Sequence, residues 1–412
     1  MNKIHNNNEE ARKRAILLII LFGVISLLGD IIYEGARSVY GPYTKSIGMD
    51  IALVGLITGL AEFFGYFLRL VSGYLSDKSK GYWTFTILGY FLLISVPLMA
   101  ISTSWQIISV FIVFERIGKA IRSPAKDTLL SSATKHIGTG LGFAIHEAVD
   151  QLGAILGPLV FSLILLLTKN LNNEIIGYRR SFLFMFFPFA ILMILVIISK
   201  IKVPNPEQLE IEDENNNTKL SKTFWLYSAF TVLTTMGFIS FAILGYYFKE
   251  KNILTDAQIP FFYAIAMGVD GITALIIGKI YDKIKTKYNN SKAGLKVLII
   301  IPIITVIIPL LSFSGKIWTA ILSIMLWGVV MGCHETIMKS SIADLTHIKK
   351  RGTGYGIFNT FYGISFFIAG TLFGFLYKLN PYVIILSILI LQLLSLIFYF
   401  IILKNINNNS LN

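Results

Sequence analysis

Gly73-Tyr74-Leu75-Ser76-Asp77-Lys78-Ser79-Lys80 follows the second long apolar run of the chain, and its reading decides the fold. The pattern returns 205 residues later as Gly278-Lys279-Ile280-Tyr281-Asp282-Lys283-Ile284-Lys285. A second echo pairs Gly138-Thr139-Gly140-Leu141-Gly142 with Gly352-Thr353-Gly354-Tyr355-Gly356, at an offset of 214. Two unrelated short signals repeated at nearly one spacing imply one structural unit used twice. In an apolar chain, a duplication on this scale implies a membrane protein built as two related halves.

The composition agrees. Of 412 residues, 55% are hydrophobic and only 14% charged, with a mean hydropathy of +0.69. A water-soluble domain cannot hide that much apolar surface, so lipid is the solvent for most of the chain. Twelve apolar runs of spanning length centre near residues 26, 62, 92, 115, 153, 190, 235, 268, 303, 327, 365 and 392. The expected fold is an all-α polytopic membrane protein with twelve transmembrane helices in two six-helix halves. Residues 1–203 form the first half and 223–412 the second. Residues 204–222 between them are a polar, acidic linker, Pro-Asn-Pro-Glu-Gln-Leu-Glu-Ile-Glu-Asp-Glu at its start.

The net charge of +13 raises the question of nucleic acid, and its distribution excludes it. With a cytoplasmic amino terminus, the inner segments hold 23 of the 36 Lys and Arg. The outer loops hold 8, at Lys45, Lys169, Arg179, Arg180, Lys249, Lys251, Lys316 and Lys378. This positive-inside bias places both termini in the cytoplasm of a cell-membrane protein. Arg12-Lys13-Arg14 precedes a run that continues past twenty residues and contains Asp30 and Glu34, so a retained first helix is expected over a cleaved signal. The single cysteine, Cys333, excludes an intrachain disulfide and a cysteine-based metal site. No phosphate loop, nucleophile elbow or His-Glu-x-x-His appears. An enzyme, a cofactor and a metal are therefore not expected, and a monomer is.

Six plus six helices, a polar central segment and Gly-x-Leu-x-Asp-Lys at 73–78 together resemble the major facilitator superfamily, over roughly residues 12 to 404. The first copy departs from the family pattern where Gly81 arrives one residue late and Tyr82-Trp83 follow. The second keeps Gly278 and Asp282 and then diverges. Gly153-x-x-x-Gly157-Pro158 resembles the family's antiporter signature, without its later glycines. The resemblance implies a secondary transporter working by alternating access. It also implies a cytoplasmic gate at the two repeated loops, formed by Gly73, Asp77 and Lys78 and by Gly278, Asp282 and Lys283. In this reading Asp77 follows the end of the second helix and caps the helix beginning near Gly352.

Ionisable groups at bilayer depth cost about 2.5–3.5 kcal/mol each on insertion scales, so each asks for a reason. Asp30, Glu34 and Arg37 share one face of the first helix. Glu34 with Arg37, and Glu115 with Lys119, have the spacing of internal ion pairs. The candidates for proton coupling are Asp30, Glu62, His146, Glu147, Asp150 and Asp270, because a desolvated carboxylate near a cation can be poised to bind and release a proton. Asp150 lies one turn from His146 on the same face. Candidate solute-binding residues are Arg116, Trp327, Glu335, Asn359 and Tyr362. Arg116 is the natural fork for a carboxylate or phosphate. The resemblance places helices 1, 4, 7 and 10 around a central cavity, which adds weight to Asp30, Arg116 and Glu335. The expected activity is proton-coupled efflux of a small organic solute, that is, a proton antiporter. The alternative is proton-coupled uptake of an anionic nutrient held by Arg116. A membrane-embedded enzyme using His146, Glu147 and Asp150 is a third and weaker reading.

Overall fold

The computed structural model describes residues 2–134, 139–171, 173–203, 220–288, 291–346 and 351–408. Most of the expected linker, and Gly138 of the glycine echo, lie outside the described residues. The described chain is helical and contains no strand. Twelve segments follow one another: α1 Asn2–Ser46, α2 Ile51–Ser79, α3 Tyr82–Ile101, α4 Trp105–Thr134, α5 Thr139–Leu167, α6 Glu174–Lys202, α7 Lys222–Glu250, α8 Gln258–Tyr288, α9 Lys292–Ser312, α10 Ile317–Leu345, α11 Arg351–Leu379 and α12 Pro381–Asn408. Eleven are long and apolar enough to cross a bilayer. The other is α4, whose length carries Glu115, Arg116, Lys119, Arg122, Lys126 and Asp127. In lipid, only a helix satisfies every backbone group within its own segment, which is why apolar runs of this length fold this way.

Local chemistry sets the ends. After α1, Gly48 takes a φ of +78°, and Gly48 N donates to Lys45 O at 3.0 Å while Met49 N donates to Thr44 O at 2.9 Å. A residue with a side chain pays for that left-handed turn, and glycine does not. Asp50 then caps α2, accepting from Ala52 N at 2.9 Å. At the far end, α2 runs through the first repeated motif to Ser79 and stops where Lys80 turns to a φ of 53°. Gly73, Asp77 and Lys78 are thus helical, a correction to the loop expected from sequence. Ser76 and Ser79 feed their hydroxyls back to Gly73 O and Leu75 O at 2.9 and 2.7 Å, so polar residues that usually mark a loop are absorbed by the helix. The second copy likewise lies inside α8, which continues to Tyr288.

Two compact units form: Met1–Arg37 with Phe67–Glu212, and Ser38–Tyr66 with Asp213–Asn412. The boundary cuts through α1 and α2. In the first unit, α5 lies on α1 through its paired glycines: a Cβ on Gly153 would stand 2.9 Å from Asp30 Cβ, and one on Gly157 2.8 Å from Gly35 N. The Gly-x-x-x-Gly-Pro signal is therefore a close helix seam. In the second unit, the stretch Ser38–Tyr66 packs along α7 and α11. A Cβ on Gly41 would meet Tyr246 N at 2.7 Å. One on Gly55 would fall on the carbonyl of Gly370 and 3.1 Å from Gly374 Cα. One on Gly374 would lie 3.0 Å from Ala52 Cα, and one on Gly363 3.0 Å from Tyr66 Cβ.

Candidate functional site

In the first unit, α4 carries cations at steps of three and four, which keeps Arg116, Lys119, Arg122 and Lys126 on one side of the helix. Lys119 Nζ donates to Tyr33 OH at 2.5 Å and stands 3.8 Å from that ring's centroid. The Arg116 guanidinium lies 5.0 Å from the same ring and 3.4 Å from the Glu115 carboxylate. Lys119, expected to serve Glu115, is thus directed to a neutral tyrosine. Glu34 and Arg37 pair at 3.5 Å as their spacing implies.

One turn further along α4, Lys126 Nζ bonds Ser26 Oγ at 3.2 Å and His146 Nε2 at 3.1 Å. An ammonium has no lone pair to offer, so His146 Nε2 accepts. The imidazole is therefore neutral, with its proton on Nδ1, and that buried nitrogen makes no hydrogen bond among the described residues. Asp150, the next residue on this face of α5, likewise presents a buried Oδ1 with no hydrogen-bond donor among the described residues. Asp30 completes the group: its electrostatic neighbours are Asp150, Lys119, Glu34 and Lys126. Three helices thus bring two carboxylates, two lysines and one imidazole together, with both lysines hydrogen-bonded to neutral groups. Glu147, beside His146, is exposed.

The second unit has a different chemistry. Here α7 is broken, with helices Lys222–Met236 and Phe241–Glu250 and non-helical residues at 237–240. Gln392 of α12 holds the break: its Nε2 donates to Thr234 O at 2.9 Å, and Thr234 Oγ1 donates back to Gln392 Oε1 at 2.9 Å. Trp327 Nε1 donates to Ile239 O at 3.0 Å, and Ser240 caps the second piece. Trp327, a solute-binding candidate, is thereby a fully buried strut of the break, stacked on Phe238 at 5.5 Å. Facing it, α10 contains a π-helical turn at His334–Met338. His334 is 2% exposed, and its Nδ1 lies 2.8 Å from Tyr362 OH. Asp270 is buried on α8 beside Gly332 of α10. Glu335 is exposed and Asn359 half-buried. Glu62, half-buried on α2, lies in the stretch that belongs to the second unit.

Of the expected gate, Asp77, Lys78, Asp282 and Lys283 are exposed, and Gly73 and Gly278 are half-buried. The ion pair formed at that end of α8 is Lys285–Asp344 at 2.8 Å, with Tyr281 OH donating to the same carboxylate at 2.8 Å. A richer network closes the stretch Ser38–Tyr66 onto the second unit. Lys45 pairs with Glu250 at 2.9 Å, and Tyr377 OH donates to the same carboxylate. Asp50 pairs with Lys378 at 2.9 Å. Burial works to raise the Asp50 carboxyl, but the Lys378 ammonium and the Ala52 and Leu53 amides outweigh it and hold the group below the usual range. Lys126, Ser26, His334, Gln392 and Tyr66 are site residues that the sequence-based candidates lack. A sequence signal exists for His334, an ionisable group in an apolar run, and for Gln392, an amide directly after Ile388-Leu389-Ile390-Leu391.

Two units of spanning helices, one holding a cluster of buried charge and the other a broken, aromatic-lined helix, define a polytopic membrane protein of the transporter class. The comparisons give the family. Residues 15–370 match the model of the Major Facilitator Superfamily, and the chain belongs to that family. An uncharacterized protein of Mycobacterium tuberculosis is 35% identical over 389 residues, covering 93% of this chain and 92% of its own length. An uncharacterized transporter of the same superfamily from Methanocaldococcus jannaschii is 26% identical over 386 residues, with 92% of each chain covered. Among solved structures, a peptide-bound POT family transporter matches with a TM-score of 0.73 at 14% identity, covering 94% of this chain and 95% of its own. A nucleoside transporter matches with a TM-score of 0.66, again at 14% identity, covering 94% and 98%. At that identity the likeness shows the fold. The chain is a multi-pass membrane protein of a secondary transporter family, as its duplicated pattern implied.

Proposed function

We propose that this protein is a proton-coupled secondary transporter of the cell membrane, acting as a monomer with both termini cytoplasmic, that exports a small organic solute by alternating access. The observation that carries the reading is the group Asp30, Lys126, His146 and Asp150. Charge buried in a spanning helix is expensive, and here it is arranged so that one proton changes its bonding. Lys126 and a proton compete for the same lone pair, His146 Nε2. Protonation of the imidazole therefore releases Lys126, which then turns to Asp150 or Asp30. The proton thus drives a discrete exchange of partners, the kind of local event that biases a two-state element.

The moving bodies in this reading are the two six-helix halves, residues 1–203 and 223–412, with 204–222 as tether. Ser38–Tyr66 is the part of the first half that must leave the second unit for access to alternate. Its glycine seam and the Lys45–Glu250 and Asp50–Lys378 pairs are the contacts broken. Asp77, Lys78, Asp282 and Lys283 form the cytoplasmic gate of the other state, and Arg116, Glu335 and Asn359 face the solute path. Glu62 and Asp270 are secondary coupling candidates. The aromatic and apolar chemistry of the second unit favours an organic solute over the anionic nutrient of the alternative reading. Proteoliposome flux under an imposed pH gradient tests the proposal, with wild type set against Asp150→Asn and Glu62→Gln. The cluster predicts that Asp150→Asn loses gradient-driven flux. Full pH-driven flux in both variants removes the coupling assignment.

A further inference from the structure

Resting on the transporter reading above, we infer that His334 is the recognition residue of a binding site for a planar aromatic solute bearing a hydrogen-bonding group, and that Tyr66 stands in the solute's place in the present state. Two irregular turns converge there, the break of α7 at 237–240 and the π-helical turn of α10 at His334–Met338. The rings of Phe238 and His334, one from each, are 5.2 Å apart. Interrupted helices and π turns both free backbone and side-chain groups from regular packing, and both concentrate at functional sites in membrane transporters.

The chemistry is specific. Tyr362 OH engages Nδ1 of His334 at 2.8 Å and so fixes the ring. Nε2 of the same ring is buried and makes no hydrogen bond among the described residues. Whichever tautomer the tyrosine selects, one hydrogen-bonding nitrogen is left for a ligand, and burying it unpaired is costly. The walls are aromatic. Tyr362 meets Phe366 edge-on at 4.9 Å and stacks on Phe358 at 5.5 Å. Tyr66 completes the enclosure, edge-on to Tyr362 at 4.9 Å and parallel to Phe366 within 6° at 6.3 Å.

Tyr66 is also the last residue of the α2 stretch that joins the second unit. When that stretch departs, a phenol ring leaves the Tyr362–Phe366 corner beside His334. The occupant suited to the exposed corner resembles what left it, a flat ring with a hydroxyl. A hydroxyl both donates and accepts, so it satisfies Nε2 in either tautomer.

The test uses purified full-length protein in nanodiscs, with its histidines labelled in the ring nitrogens. The chain has five histidines, so the imidazole resonances are separable. The probe is 2-naphthol, with 2-methoxynaphthalene as the analogue lacking the hydroxyl proton and empty nanodiscs as the partition control. In Tyr66→Ala, and in the milder Tyr66→Val, 2-naphthol binds saturably about tenfold more tightly than in wild type and shifts the His334 Nε2 resonance. Adding His334→Phe removes about tenfold of that affinity, the loss expected for one hydrogen bond, and His334→Gln restores part of it. An Nε2 resonance that stays fixed at saturating probe overturns the inference. So does His334→Phe that costs less than about twofold, since one hydrogen bond is worth more than that. No gradient is applied, so loss of proton coupling in the flux assay and loss of this site are separate results.

Discussion

Alanine at Gly55 separates the seam from the rest of the molecule. Its methyl would fall on the carbonyl of Gly370 and lie 3.1 Å from both Gly370 C and Gly374 Cα. These are backbone atoms and cannot rotate aside. The tightest contact is with Gly370 O, far inside the ordinary separation of about 3.5 Å, so α2 and α11 must part by roughly 1 Å or more along this stretch. Overpacking of this kind costs about 1–3 kcal/mol. Alanine's better helix propensity acts equally on the docked and the released stretch, which is helical in both, and so cancels. The penalty on the docked stretch is then about 1–3 kcal/mol, a factor of roughly 5 to 160 in favour of its release. The assay is maleimide labelling of Ala52→Cys in a Cys333→Ser background, because Ala52 is buried against Gly374 when the stretch is docked. Labelling should accelerate by that factor in Gly55→Ala. Gly73→Ala is the control, since a Cβ there meets Pro124 at an ordinary 3.4 Å, and it should leave the rate unchanged. A folded Gly55→Ala protein that labels at the parental rate refutes the reasoning.

Gln392→Leu leaves Thr234 O and Thr234 Oγ1 without their partners at the α7 break and should lower stability by about 1–3 kcal/mol, read as a fall in the thermal midpoint in nanodiscs. The Asp50 carboxyl, held below its unfolded value, stabilises docking of Ser38–Tyr66 at all pH values above that value, about 4, and the contribution is lost as pH falls through the folded value. Because the Asp50–Lys378 pair is nearly half exposed, the effect is under about 1 kcal/mol, seen below about pH 4 as a rise in Ala52→Cys labelling relative to a freely exposed cysteine at the same pH, a rise that Asp50→Asn abolishes. Lys126→Met removes the cation that His146 must release, so the ratio of flux with and without a pH gradient should collapse toward one. A wild-type ratio in that variant counts against the proposed exchange of partners.

Much of the fold could be read directly because the bilayer simplifies the problem. A run such as Ile16–Ile32 has one stable spanning conformation, and the echo of Gly73–Lys80 at Gly278–Lys285 revealed the second half. The motif's conformation was not legible, since Ser76, Asp77 and Ser79 signal a turn by propensity while the helix accommodates their hydroxyls. The seam was hidden for another reason. Gly41, Gly55 and Gly370 are scattered glycines until three dimensions lay Gly41 on Ala242 and Tyr246 and Gly55 on Gly370, so membership of Ser38–Tyr66 in the second unit had no one-dimensional signature. Within the candidate site, Asp30, His146 and Asp150 stood out because charge is rare in apolar helices. Lys126 stands near the end of α4, where a lysine is ordinary at a membrane surface, and its bond to His146 depends on α4 and α5 packing side by side. His334 is an ionisable residue in an apolar run, but the π turn that presents it has no signature in the local sequence.

The most direct test of the central claim is proton movement driven by solute. With protein in vesicles loaded with a pH-sensitive dye and a transported organic solute imposed as a gradient, wild type should move protons in the opposite direction to the solute. Asp150→Asn should abolish that proton signal while still exchanging labelled solute for unlabelled. Solute crossing wild-type membranes with no accompanying proton, or Asp150→Asn coupling as wild type does, contradicts the account.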